Sequence, residues 1–345
     1  MVALLDLNDV GLMQYSVNLL RKLPDVFHNG QWQIEADYWA AYYNYGWQGG
    51  DSAVFMDELK EMLQRSIALH NPVWKVRILR EMFFISIGSD ETNGMIYARQ
   101  LEKALDLVTP KQYPDYAECK FNLGMMYLTF NDYLRSEKYF KDIIRQPLMK
   151  PIERVFLHSY NNLGLIYRDF YRDYNKSNIW FRHIFDIQKR YGIDENSEVW
   201  VAIANGNLGK NDVLTGNYVR GEQLLLKSYA VMSAIKDYEY VFSLGLYLGE
   251  DYCFQKRFDK ARHFIQVADT CLKKSENSQL INKFSYYLTL SKYYAATHQA
   301  EMSMKYVNKA LVADADFKRH YDRSRFLLLE QKQGQLEQEI EKEHA

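Results

Sequence analysis

The chain has 345 residues, of which 15% are aromatic and 25% charged, with only 17 Gly and 6 Pro. A formal net charge of −1 excludes a general electrostatic attraction to nucleic acid or to an anionic membrane, so we expect no direct nucleic-acid contact. The 3 cysteines have neither CxxC nor metal-ligand spacing, and their odd number argues against a disulfide framework, so buried thiols are expected.

The N-terminal third predicts helices and no targeting segment. Asp6 and Asp9 fall in a start that lacks basic residues, which argues against a signal peptide, and no apolar run approaches the roughly 20 residues of a membrane span. The compartment is left open between the cytoplasm and, if a signal peptide once preceded Met1, the periplasm. Periodicity predicts a cap of two helices and then three helices of degenerate hairpins. These predicted helices are Asp6–Leu23, Gln31–Tyr45, Asp51–His70, Pro72–Ile87 and Thr92–Val108.

From about residue 116 the sequence repeats itself. A Leu followed by a small residue recurs at steps of 40, 45, 40 and 42, the small residues being Gly124, Gly164, Gly209, Gly249 and Ser291. After each comes a second helix with a small residue and, four positions later, a bulky one. The small residues are Ser136, Ser177, Gly221, Ala261 and Ser303, and the bulky ones are Phe140, Phe181, Leu225, Ile265 and Val307. This spacing places both on one helical face and predicts that the second helix crosses the first at its small residue.

The turns between these helices are only a few residues long, which predicts antiparallel hairpins. The hairpin containing Tyr167 and Phe181 has one extra residue, so the register of its second helix is left open. The pattern from Ala117 to Ala315 resembles the tetratricopeptide repeat (TPR), although the steps exceed that family's 34-residue period. The resemblance implies an all-α fold of antiparallel hairpins stacked into a TPR-like superhelical solenoid. We predict degenerate repeats and a cap over residues 1–115, TPR-like repeats over 116–315, and a capping or linker helix over 316–345.

Motifs for catalysis are missing from the sequence. A phosphate loop around Gly209 would need Gly at position 204 and Ser or Thr at 211, where the chain has Ala204 and Asn211. The 8 His never form HExxH or combine with Cys at zinc spacing. We therefore expect no enzyme, no cofactor and no metal.

A binding surface is better supported. When the Leu before each small residue is numbered seven, position six is Asn in three successive repeats. The resemblance implies a concave groove in which these amides hold the main chain of an extended peptide or protein ligand, since an amide offers both donors and an acceptor. The predicted groove residues are Asn122, Met125, Asn161, Asn162, Leu165, Arg168, Asn207 and Lys210. The alternative is that the asparagines only bond neighbouring repeats to each other.

The segment after Asp316 has an apolar stripe at heptad-like spacing in a background of Glu, Gln and Lys. We expect Leu327, Leu328 and Leu329 to dock on the final repeat and the part after Gly334 to project as a lever. This C-terminal helix is also a candidate homodimer contact. A repeat array followed by such a helix resembles the sensor half of Bacteroidetes TPR regulators, such as the starch-utilisation regulator. The long repeats are also similar to those of Gram-positive peptide-pheromone receptors.

Three functions remain open at this point. The first is a peptide- or protein-sensing module of a transcriptional or signalling regulator. The second is a constitutive scaffold for a protein complex. The third is a carbohydrate-sensing domain that uses the aromatic N-terminal part, in which case the tryptophans would form a sugar platform instead of core. These tryptophans are Trp32, Trp39, Trp47 and Trp74.

Overall fold

A computed structural model describes residues 10–22, 30–87, 91–146, 153–191, 197–274, 279–321, 330–332 and 334. Within these ranges all regular secondary structure is helical and no strand forms, as predicted. The chain divides into two compact units, unit 1 (Met1–Cys119 and Leu327–Ala345) and unit 2 (Lys120–Phe326). The predicted docking of Leu327 to Leu329 and the predicted lever after Gly334 lie outside the described residues.

Five helices belong to unit 1, and each packs against the next. They are α1 (Val10–Leu20), α2 (Gly30–Trp47), α3 (Ser52–Ala68), α4 (Pro72–Ser86) and α5 (Glu91–Leu105). Capping explains two of the starts, since the Asp51 carboxylate accepts from the Ala53 amide at 2.7 Å and the Asn71 side chain accepts from the Trp74 amide at 3.1 Å. The boundaries agree with the predicted helices to within a few residues.

The four tryptophans of unit 1 differ in burial, and two of them lie in its core. Trp39 is 4% exposed and Trp74 6%, and the Tyr38 ring meets Trp74 edge-on with centroids 5.3 Å apart. Trp32 keeps 38% of its surface exposed. Packing therefore accounts for Trp39 and Trp74, as the core interpretation of these residues expects.

Ten further helices form five hairpins, of which the first begins at the end of unit 1. The first helices of the hairpins are α6 (Tyr116–Thr129), α8 (Glu153–Asp169), α10 (Ser197–Leu214), α12 (Tyr238–Phe254) and α14 (Gln279–Ala296). The second helices are α7 (Tyr133–Ile144), α9 (Tyr174–Tyr191), α11 (Tyr218–Ala234), α13 (Phe258–Lys274) and α15 (Ala300–Tyr321). The free thiols of Cys119 and Cys271 are buried within these helices, and Cys253 is partly buried.

The small residues lie where the two helices of a hairpin cross, as predicted. A Cβ added to Gly164 would stand 2.4 Å from the Phe181 ring, and one added to Gly209 would stand 2.9 Å from Leu225. The Ser177 hydroxyl donates to the Gly164 carbonyl at 2.8 Å. The contacts of Phe181 and Ser177 with Gly164 settle the open register of this hairpin, because the extra residue is absorbed in the turn before α9.

Each of these hairpins turns through one residue with a left-handed backbone. Four of the five are not glycine, and the common geometry explains why the turns are so short. The residues are Asn131 (φ 59°), Arg172 (φ 56°), Gly216 (φ 83°), Lys256 (φ 60°) and His298 (φ 59°).

Candidate functional site

The predicted site residues lie on one face of the first helices, which we call the first-helix face. It consists of the side chains at positions five, six, nine and twelve of α6, α8, α10, α12 and α14. Its polar members are unusually buried, with Asn162 6%, Arg168 5% and Asn207 5% exposed. Buried polar groups need hydrogen-bond partners, so the bonding of this face decides what it can do.

Near α6 the face bonds weakly to itself. The Asn162 amide nitrogen donates to the Met125 sulfur at 3.1 Å, and a thioether is a weak acceptor. The Asn122 amide nitrogen is buried and has no hydrogen-bond partner among the described residues. Two amide donors in successive repeats therefore lack a strong acceptor.

In the middle of the face, predicted residues from two repeats bond to each other. The Asn207 amide nitrogen donates to the Asn161 oxygen at 2.9 Å, and its own oxygen accepts from Arg168 Nη1 at 2.9 Å. The remaining edge of the Arg168 guanidinium donates to both oxygens of Asp169, at 2.9 and 3.1 Å. Asn207 is thus a bridge between repeats in this structure, which is the arrangement that the alternative to a ligand clamp expects.

Toward α14 the face carries an ion triad, in which Lys210 and Glu250 are buried and Lys292 is exposed. Lys210 donates from its ammonium to Glu250 Oε2 and lies 4.5 Å from the centroid of the Tyr247 ring. Lys292 Nζ donates to the other carboxylate oxygen of Glu250 at 2.7 Å. Burial opposes the charge on Glu250, but the two lysines outweigh it and hold the pKa of Glu250 at about 2. Burial lowers the pKa of Lys210, and Glu250 offsets part of that effect.

The structure brings most of the predicted residues together in pairs. Asn162 meets Met125, Asn161 meets Asn207, and Arg168 meets Asn207, whereas Leu165 packs with the apolar core of its repeat. Glu250 and Lys292 were missed by the sequence reasoning. They occupy position nine of the next two repeats, the position of Lys210, and that numbering alone could have found them.

A second set of polar contacts joins the repeats, and it was also missed. The residue that follows the small residue of each second helix hydrogen-bonds to the first helix of the next repeat. The four pairs are Glu137–Tyr167 (2.8 Å), Asn178–Asn211 (2.8 Å), Glu222–Tyr252 (2.8 Å) and Arg262–Tyr293 (3.1 Å). These residues could have been found from the sequence, because each directly follows the small residue of a second helix.

Other kinds of site find no support in the described ranges. None of the helices described combines the length and the hydropathy that crossing a membrane requires. Within the same ranges, no group of three or more His, Cys, Asp or Glu side chains could hold a metal ion. His158 packs between Phe121 and Trp200, and burial lowers its pKa to about 4, so it is a packed neutral imidazole.

The geometry defines a TPR-like array of helical hairpins, and solved structures support this fold. RapI in its apo form has a TM-score of 0.62 at 15% identity, covering 83% of this chain and 99% of RapI. The apo form of the quorum sensor NprR from B. thuringiensis has a TM-score of 0.58 at 13% identity, covering 90% and 84%. A Rap protein complexed with Competence and Sporulation Factor has a TM-score of 0.55 at 12% identity, covering 90% and 99%. No family model and no curated protein matches the sequence.

Proposed function

We propose that unit 2 is a non-enzymatic module that binds a peptide or protein partner along its first-helix face. Two proteins that share the fold support this proposal. One is described as a quorum sensor, and another was solved in complex with Competence and Sporulation Factor. On this proposal the module is the regulatory part of a transcriptional or signalling regulator, as both resemblances in the sequence imply.

One observation carries the proposal, namely the unsatisfied donors near α6. Asn122 has no acceptor among the described residues, and Asn162 has only a sulfur. A buried donor without a good acceptor is unfavourable, so an incoming main-chain carbonyl gains a hydrogen bond at little loss to the protein. An extended ligand could bond to both amides, because it presents a carbonyl at regular intervals along its length.

Binding variants test this proposal. Linear heptapeptides are selected from a random display library on the intact chain, and their affinities are then measured on Asn122→Ala and Asn162→Ala. Each variant should weaken binding by about 1–3 kcal/mol, because a ligand carbonyl loses its donor. Asn308→Ala, at an exposed position of α15, is the matched control and should bind normally. Selected peptides that bind all three variants equally would exclude the first-helix face as their site.

A constitutive scaffold is the second candidate function. It is favoured by the bonds of Asn207, which join α8 to α10. If the scaffold is correct, Asn207→Ala should lower the melting temperature and leave partner affinity unchanged. If the sensor is correct, Asn207→Ala should change both the melting temperature and the partner affinity, because Asn207 would bond to the neighbouring repeat and to the ligand.

A further inference from the structure

A cleft of about 380 Å³ lies between α13 and the last hairpin, away from the first-helix face. Its rim is formed by Arg262, Gln266 and Asp269, which follow one another at single turns of α13. Its walls include Tyr294 and Tyr306, whose rings stack in parallel with centroids 5.4 Å apart. We call this the tyrosine cleft. Its volume falls within the range of small-ligand sites, roughly 300–1,000 Å³.

The preceding repeat shows the same place filled. Forty residues before Gln266 and Asp269, helix α11 has Leu226 and Tyr229. The Tyr229 ring meets Phe264 edge-on with centroids 5.4 Å apart, and both Leu226 and Tyr229 pack against the core. The walls correspond as well, because Tyr252 stacks on Phe264 just as Tyr294 stacks on Tyr306. The cleft therefore arises where polar side chains replace two apolar ones between similar aromatic walls.

The two ends of the rim carry opposite charges. Arg262 donates from Nε to the Tyr293 hydroxyl at 3.1 Å, and its Nη groups have no hydrogen-bond partner among the described residues. Asp269 accepts from the Tyr286 hydroxyl at 3.1 Å and from Lys273 at 2.6 Å, which leaves acceptor positions on its carboxylate. Between them the Gln266 side chain makes no hydrogen bond to any described residue. The rim thus runs from cation through amide to anion.

We propose that the tyrosine cleft binds a short peptide of about three residues through both of its free termini. Arg262 and Asp269 are two helical turns apart, about 10 Å, which is also the length of an extended tripeptide. The guanidinium binds the α-carboxylate, the Asp269 carboxylate binds the α-amine, and the Gln266 amide bonds the peptide unit between them. An apolar or aromatic central side chain packs against the tyrosines. A single amino acid is too short to reach both charges.

Calorimetric titration of the intact chain tests this site with the tripeptide Ala-Phe-Ala. We expect saturable binding that weakens at least tenfold when the probe is N-acetylated and at least tenfold when it is C-amidated. In Arg262→Gln the effect of amidation should disappear and that of acetylation should remain. In Asp269→Asn the reverse should hold. Blocked and free probes that bind equally, or a free probe that does not bind, would overturn the proposal.

A filling variant separates loss of the site from loss of the fold. Asp269→Tyr reproduces the residue of the preceding repeat and should abolish binding of Ala-Phe-Ala without lowering the melting temperature. Binding retained by this variant would place the tripeptide elsewhere and contradict the proposal. Asn122→Ala should bind the tripeptide normally, because Asn122 lies outside the cleft. The proposal for the first-helix face and the proposal for this cleft can therefore fail independently. Maltose that binds in place of the tripeptide would also overturn it, in favour of a sugar site.

Discussion

The two ends of the first-helix face bond through different repeat positions, since the amides near α6 stand at position six and the charged groups toward α14 at position nine. Near α6, Asn122 and Asn162 have buried amide donors with no acceptor or only a thioether sulfur. Near α14, Glu250 accepts from Lys210 and Lys292 and is fully paired within the chain. We propose from this comparison that one end exchanges its bonds for those of a ligand, whereas the paired charges of the other hold the repeats together.

Charge explains why the bonds of the end near α14 are costly to break. Removing one partner of a buried ion pair leaves the other charge uncompensated in a medium of low dielectric constant. Releasing an amide from a thioether leaves only a neutral donor to satisfy. The three predictions below test this difference, starting with the largest effect.

Replacement of Lys210 by Met should give the largest loss of stability. The change leaves Glu250 buried with one lysine instead of two, and breaking such a pair destabilises by about 3–5 kcal/mol. Urea unfolding measures the free energy, with Lys227→Met on the exposed face of α11 as the matched control. A loss of unfolding free energy no greater than that of the control would contradict the assignment of Lys210 and Glu250 as a stabilising ion pair.

The triad also predicts a dependence on pH. The pKa of Glu250 is held at about 2 in the folded chain, below its ordinary value of 4.5. Its stabilising contribution is therefore fully present above about pH 4.5 and is lost as the pH falls toward 2, a change of roughly 3 kcal/mol. Urea unfolding between pH 5 and about 2.5 should show this decline in the parent protein and a flatter profile in Glu250→Gln. Glu301→Gln, an exposed control, should keep the decline; a parent-like decline in Glu250→Gln would assign it to other groups.

Two alanine substitutions should give the smallest of the three effects on stability. Asn207→Ala removes bonds to Asn161 and Arg168 and should destabilise by about 1–3 kcal/mol. Asn122→Ala removes a donor that has no acceptor and should change stability by less than about 0.5 kcal/mol, or raise it. Thermal and urea unfolding measure both. Equal losses would show that Asn122 is bonded in solution and that the two ends do not differ.

The hairpins could be predicted from the sequence because their crossing depends on local residues. Gly209 and Gly249 each stand 16 residues before the bulky residue that they contact, Leu225 and Ile265, so the contact follows from the repeat spacing. The predicted groove asparagines do lie on one face, which the same periodicity explains. Contacts between one repeat and the next were harder to predict from the sequence.

The bonding of the site could not be predicted, since it depends on contacts about 40 residues apart in sequence. Whether Asn207 holds a ligand or Asn161 is decided by the distance between α8 and α10, which no single repeat encodes. Glu250 does not follow from the asparagine pattern, because position six is Tyr247 and Thr289 in the last two repeats. The tyrosine cleft shows the same limit, since Asp269 becomes informative only beside Tyr229 of the preceding repeat.

The turn between α8 and α9 absorbs an extra residue while Phe181 and Ser177 keep their contacts with Gly164. The length of this connection is therefore independent of the packing that it joins. Asp173 must stay, because its carboxylate accepts from the Lys176 amide at 3.0 Å and caps α9. The extra residue lies before Arg172, since Arg172 and Asp173 correspond to the left-handed Asn131 and the capping Asp132 of the preceding hairpin. The stretch just before Arg172 is consequently the place at which a short label or affinity tag can be inserted into the chain.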